Sequence, residues 1–386
     1  MTSALLPIYD REIVLTKGKG AKLWDKDGHE WLDFAAGIAV NGFGYGDRRI
    51  VSAIKKQAET LIHASNLYHT EPASRLAERL VALAFPSKVF FTNSGTEAWE
   101  GAMKFARRIG KEQGRTEYVV FEHSFHGRTM GALSTTWTAK YREPFEPLVP
   151  GVRFVPRELG AVEAAVNEKT AAVMIEPVQG EGGIHPASAE LLRGLQSICR
   201  ARGALLVFDE IQCGLGRTGK MFAFQHSGVV PDILTLAKPL AGGLPMGAIL
   251  LKDEYVRFLK VGDHGTTFGG NAVCAAAANA VLDHLEAPGF VDDVAARGLY
   301  LQRGLKKLAR KHKQAILDVR GLGLMVGVEL KGEAAPVLKG LRDKGILAVK
   351  AGDKVLRLLP PLVIKRGEIR QLLAALDEVL ATGAGQ

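Results

Sequence analysis

From Val89 onward, short apolar runs alternate with stretches of helical periodicity. The apolar runs are Val89–Thr92, Tyr118–Phe121, Ala172–Glu176, Leu205–Asp209, Ile233–Ala237 and Ala248–Leu251, and helical stretches lie at 97–111, 161–167 and 189–202. Such runs read as strands buried on both faces, and their alternation with helices predicts a largely parallel, doubly wound sheet covered by helices. Upstream, residues 11–35 mix short apolar pieces with the turn signals Lys19-Gly20 and Asp27-Gly28, which predicts a small β-meander. Residues 48–62 and 72–84 have helical periodicity, the second with Pro72 in a first-turn position. After Gly270 come an alanine-rich helix, an amphipathic stretch at 291–313, and strands near Val326–Leu330, Ala348–Lys350 and Val355–Leu358. The fold class expected is α/β, with a large domain over residues 51–272 and a smaller α+β domain over 273–386. Residues 1–50 are expected to join the smaller one.

A chain of 386 residues exceeds a usual single core, in keeping with two domains. Its 47% hydrophobic and 24% charged residues are an ordinary globular balance. The start of the chain carries Asp10, Arg11 and Glu12 and lacks an apolar signal-peptide core, and the alanine-rich stretch at 272–282 is too short to span a bilayer. A cytoplasmic protein with no membrane association is expected. Cys199, Cys213 and Cys274 are scattered, which argues against a disulfide framework and shows no metal-ligand spacing. The net charge of +9 comes from dispersed cations, apart from the run Lys306–Lys313, which reads as one face of a solvated helix. Acidic small substrates or an acidic protein partner explain the excess better than nucleic acid does.

Candidate chemistry collects at the strand ends. Asp209 closes the run Leu205–Asp209, and Lys238 follows the run Ile233–Ala237. A carboxylate there can hold a ring-nitrogen proton, and a lysine at a neighbouring strand end can form an imine with an aldehyde. Pyridoxal 5′-phosphate needs both; taken singly, each is also an ordinary solvated strand end. Ser94-Gly95-Thr96-Glu97 lies between a strand and a helix, where free N–H groups, hydroxyls and the helix dipole suit a phosphate. Plain N-capping by Ser94 or Thr96 describes the same residues. In Ser124-Phe125-His126-Gly127-Arg128-Thr129 an aromatic can stack on a flat ring, and an arginine three residues later can grip a carboxylate. Glu176–Gly183 sets Glu181 in a glycine-rich loop, and His264–Asn271 is a second hydroxyl- and glycine-rich loop. Arg357 interrupts the apolar strand 355–358, where an unpaired cation is costly, so it needs an anion.

Together the segments SGTEA, SFHGRT, EPVQGEGG, FDEIQCGLGRTG, LAKPLAGGLP, HGTTFGGN and LRLLPP resemble the class III (subgroup II, ornithine-type) aminotransferases that use pyridoxal phosphate. The resemblance covers nearly the whole chain. Within the class, SNLYHTEP at 65–72 and FAAGIAVN at 34–41 look most like the acetylornithine aminotransferases. It implies fold type I, with a mostly parallel seven-stranded sheet, and a homodimer whose active sites lie at the interface.

Carried onto matching positions, the resemblance makes Lys238 the Schiff-base lysine and proton shuttle. Asp209 is the partner of the pyridine nitrogen, Gln212 lies near the phenolic oxygen, and Phe125 stacks on the ring. Ser94, Gly95 and Thr96 hold the phosphate, with Thr267 reaching it from the other subunit. Arg128, Arg357, Glu181 and Thr266 fall on the substrate side, Glu181 masking Arg357. No metal is implied. The reaction implied is transfer of an amino group from N2-acetyl-L-ornithine to 2-oxoglutarate in arginine biosynthesis. The segments Thr136-Trp137, 140–145, 321–327 and 356–363 also resemble lysine-pathway transaminases acting on an amine borne by an acidic amino-group carrier protein. That substrate is the alternative, together with other ω-amines such as ornithine. An aminomutase needs no second dicarboxylate, so the pair Arg128 and Arg357 speaks against it.

Overall fold

The computed structural model describes residues 4–9 and 12–385; Asp10 and Arg11, part of the polar start of the chain, lie outside them. The predicted meander is present: β1 (Leu15–Lys19), β2 (Lys22–Asp25) and β3 (Glu30–Asp33) pair antiparallel. Gly20 and Gly28 turn the chain between them at φ 58° and 85°, where glycine escapes a Cβ clash.

The central layer is a seven-stranded sheet. Its strands in chain order are β4 (Ser87–Thr92), β5 (Glu117–Phe121), β6 (Val152–Val155) and β7 (Thr170–Ile175), followed, after the short hairpin β8 (Val178–Gln179) and β9 (His185–Pro186), by β10 (Leu205–Asp209), β11 (Ile233–Leu236) and β12 (Gly247–Lys252). Their spatial order is β4-β12-β11-β10-β7-β5-β6, and β12 alone runs antiparallel to its neighbours. Every residue of β7, β10 and β11 is buried, as continuous apolar runs covered on both faces require. The helices Gly95–Gly110 and Ala189–Arg202 cover it, each capped by a serine hydroxyl: Ser94 accepts the Glu97 amide and Ser188 the Leu191 amide. Asn271 caps the alanine-rich helix Ala272–Leu285 in the same way.

A third layer holds β13 (Ile316–Leu322), β14 (Met325–Leu330), β16 (Val349–Ala351) and β17 (Val355–Leu358), ordered β13-β14-β17-β16. The remaining strand, β15 (Ile346–Leu347), pairs parallel with β3, so N-terminal and C-terminal residues share one sheet. Helices Phe290–Lys311 and Ala334–Asp343 pack on this layer, and Arg366–Ala381 packs against both of them. Five strands, β6, β8, β9, β13 and β15, and the last two helices are additions to the elements expected from the sequence. Among the described residues, no helix is long and apolar enough to cross a membrane.

Candidate active site

The parallel strands of the central sheet deliver their polar ends to one rim, and a cavity of about 460 Å³ opens there. Asn93, Ser94, Gly95, Thr96, Phe125, Arg128, Glu181, Asp209, Gln212 and Lys238 line it. Nearly all the residues expected from the sequence therefore meet in one place, although they span positions 94 to 238. Arg357 sits behind the wall, buried, and reaches the cavity through Glu181, with Nη2 to Oε2 at 2.8 Å. Thr266 and Thr267 do not line it. They line a neighbouring hollow of about 370 Å³ with Asn93, Glu97 and His264. There Thr266 Oγ1 accepts from Asn93 Nδ2 at 3.1 Å.

One end of the cavity is an anion cradle. It lies at the start of the helix Gly95–Gly110, where the dipole and unpaired amides favour negative charge. Close approach is built in: a Cβ on Gly95 would lie 2.7 Å from Ile211 Cγ2, and one on Gly127 only 2.2 Å from Thr96 Oγ1. Gly127 also holds φ 143°, so no larger residue suits it.

Asp209 forms the floor. Its Oδ1 accepts the Ile211 amide at 3.0 Å, and its Oδ2 is bonded to His126 Nδ1 at 2.7 Å. The His126 ring lies face to face on Trp99, centroids 3.7 Å apart and planes within 5°. This histidine was missed in the sequence, where it reads as one more loop residue 83 positions from its partner. Glu176 was missed as well. Its two oxygens accept the Phe125 amide at 3.0 Å and the Gly180 amide at 2.9 Å, tying the loops that carry Phe125 and Glu181. Burial, countered by His126 and reinforced by Asp209, pushes its carboxyl up to about 7.

Lys238 leaves β11 in a left-handed conformation, φ 39°, which a non-glycine residue adopts only when its surroundings impose it. Burial lowers the proton affinity of its amine, with Arg357 acting in the same direction against Asp209, Glu176 and Glu181. A lysine amine poised toward its neutral form is the nucleophile that an aldehyde requires. The opposite wall is strained too. Ala36, Gly37, Ile38 and Ala39 all have positive φ, between 49° and 66°, and lead to Val40, which lines the cavity. Asp33 Oδ1 holds that turn by accepting the Ala35 and Ala36 amides.

Arg128 is exposed at the cavity's outer end. Its guanidinium stacks 3.4 Å from the Tyr141 ring centroid and 5.6 Å from that of Phe125, and among the described residues no carboxylate pairs with it. The fork is thereby fixed in plane while its donors stay available for a bidentate anion. The cavity thus combines an anion cradle, an aromatic face, a carboxylate floor, a poised lysine and two arginines, one free and one masked.

The description "Aminotransferase class-III" fits residues 8–380 as a family model. The chain belongs to that family. It is 49% identical to the acetylornithine aminotransferase of Methanocaldococcus jannaschii, over 97% of this chain and 95% of that protein. The N-acetylornithine aminotransferase of Stenotrophomonas maltophilia superposes with a TM-score of 0.85 at 36% identity, over 97% of both chains. An ornithine aminotransferase of Toxoplasma gondii, whose active site holds pyridoxal phosphate at partial occupancy, superposes with a TM-score of 0.94 at 31% identity, over 98% and 92% of the two chains. The aminotransferase therefore has fold type I, and its cofactor is pyridoxal phosphate. The cavity suits that group on its own geometry: the glycine-lined cradle would take the phosphate, Asp209 the ring nitrogen and Phe125 the ring face. Gln212 Oε1, buried without a partner among the described residues, is available to the same ring.

Proposed function

We propose that the protein moves an amino group from N2-acetyl-L-ornithine to 2-oxoglutarate, giving N-acetyl-L-glutamate 5-semialdehyde and L-glutamate, a step of arginine biosynthesis. The observation that carries this reading is the contrast between Arg128, which lines the cavity and has no carboxylate partner among the described residues, and Arg357, which is masked by Glu181 behind the cavity wall. Bound pyridoxal phosphate supplies an aldehyde that accepts the amine and a ring that withdraws electrons from the reacting carbon. Asp209 holds the ring-nitrogen proton, and Lys238 carries the cofactor and then moves the proton between the two carbons.

Glutamate reacts at its α-amine, so its α-carboxylate needs Arg357 and its side-chain carboxylate needs Arg128. Acetylornithine reacts at its δ-amine and has no carboxylate beside the reacting carbon. Arg357 then stays with Glu181, and Arg128 takes the distant α-carboxylate. One cavity serves both halves of the cycle, and Glu181 is its selector.

A second copy of the chain completes the site. Leu67, Tyr68 and Phe268 are exposed at 84%, 71% and 60%; Phe268 lines the hollow that holds Thr267, and Tyr68 lines a second hollow with Gly269 and Gly270, the next residues of the same loop. In a homodimer that hollow would present Thr267 to the phosphate of the other copy. An amine borne by an acidic carrier protein is the second reading for the substrate, favoured by the exposed cations Arg128 and Lys140 against Tyr141. A panel of single-turnover reactions with acetylornithine, ornithine, a succinylated amine and a carrier-bound amine tests the reading. Acetylornithine should give the highest specificity; a preference for another donor overturns it.

A further inference from the structure

Arg217 lies in the loop after β10 and is almost completely buried, at 1% exposure. Among the described residues no carboxylate pairs with it. Its Nη1 donates to Leu324 O at 3.0 Å and to Pro360 O at 2.6 Å, while Nε and Nη2 have no partner. A buried cation with unmet donors is among the costlier arrangements a fold can keep, and an apolar side chain would fill the same space without that cost. What the guanidinium provides is a link between two separate layers.

On one side is the loop that begins at Asp209 and Gln212. It is closed on itself by Glu210, whose oxygens accept the Ala223 and Phe224 amides at 2.6 and 2.7 Å. On the other side is the strand that carries Arg357, which runs on to Pro360 three residues later. The turn between β13 and β14 completes the junction. The Leu324 amide donates to Arg217 O at 3.0 Å, and Gly323, at φ 54°, packs so closely that a Cβ would lie 2.4 Å from Thr218 C.

We propose that Arg217 is a positioning residue: by clamping Leu324 and Pro360 to the loop after Asp209, it sets the distance between the cofactor end of the cavity and the Arg357 carboxylate grip. The inference rests on the reading of Arg357 as that grip. Displacement of a binding group by about 1 Å from a distant change can cost about a hundredfold. The loss should be selective. Glutamate and other dicarboxylates use Arg357, whereas acetylornithine leaves it with Glu181.

The test uses R217M and R217K holoenzymes. Equilibrium binding of glutarate, a dicarboxylate with no amine, should weaken at least tenfold in R217M, and glutamate kcat/KM should fall as much. Acetylornithine kcat/KM should change less than threefold. Hydrogen exchange of the Leu324 amide should accelerate, and R217K, which can reach one carbonyl, should recover part of the loss. G323A breaks the junction from its other side and should give the same selective loss; it decides the matter if R217M fails to fold. Equal losses for both amine donors, or unchanged glutarate binding in both variants, would overturn the clamp. A wild type inert toward acetylornithine would instead remove the substrate reading, with glutarate binding still judging Arg217.

Discussion

Arg357 Nη2 lies 2.8 Å from Glu181 Oε2, and the other two nitrogens of that buried guanidinium have no partner among the described residues. Glu181 is half-buried in a glycine-rich loop, while Arg357 is fixed in β17 between β14 and β16. The pair is therefore asymmetric: the glutamate can swing away, and the arginine stays. A carboxylate arriving beside the reacting carbon can displace Glu181 and take over unmet donors that are already in place. Arg357→Ala should then damage the glutamate half-reaction far more than the acetylornithine one. A lost charge-assisted bidentate contact costs about 2–4 kcal/mol, or roughly 30- to 1,000-fold. Glu181→Ala should shift preference toward glutamate. Single-turnover rates with each donor check both; equal losses for Arg357→Ala would make it a structural ion-pair residue.

Much of this site was legible because the polar residues at the ends of β10 and β11 follow directly on apolar runs, and buried parallel strands must end at a rim. The relation between Asp209 and His126 was not, since nothing local connects residues 83 apart and the histidine's role comes from stacking on Trp99. The missed strands have physical reasons as well. β6 is a four-residue edge strand with an exposed Arg153, and β13 carries Asp318 and Arg320 where clean alternation would need apolar residues. In the helix Ala334–Asp343, Pro336 and Gly340 read as breakers; the proline falls in the first turn, where it is tolerated. The buried Ile369, Leu372, Leu376 and Val379 of the last helix do carry a three- and four-residue spacing.

Lys238 has a chemical signature that does not depend on turnover. Borohydride reduction of the holoenzyme followed by peptide mapping should place the pyridoxyl label on Lys238, because its strained backbone aims a poised amine into the cavity. Lys238→Ala should retain cofactor by its phosphate and ring contacts yet turn over neither donor. A label on another lysine would sink the assignment.

His126 should act through Asp209. Replacing it with phenylalanine keeps the stack on Trp99 and removes the 2.7 Å contact to the carboxylate. A hydrogen bond to a charged group is worth about 1.5–3 kcal/mol, so cofactor affinity should fall about 10- to 150-fold. Asp209→Ala should be worse, since the ring nitrogen then loses its counter-charge. Titration of apoenzyme with pyridoxal phosphate measures both, and an unchanged affinity in His126→Phe would leave the histidine as packing alone.

The stability of the apoprotein should carry the titration of Glu210. Burial pushes this carboxyl up to about 8, against the stabilising pull of the Ala223 and Phe224 amides and with a small push from Asp209. The folded protein therefore holds a proton that the unfolded chain releases near its ordinary carboxylate value. Below about pH 4.5 both states are protonated, and the contribution is fully present. Between there and about pH 8 the folded state binds more protons than the unfolded one, so stability falls as pH rises, by an amount on the order of a few kcal/mol. Above pH 8 the slope from this group vanishes. Glu210→Gln keeps one acceptor for the two amides, so it should be less stable at low pH, yet it should lose much of the decline seen in the wild type. Melting curves of both apoproteins from pH 5 to 8.5 decide it: parallel profiles would mean that Glu210 is ionised in the fold and that its two amide contacts outweigh its burial.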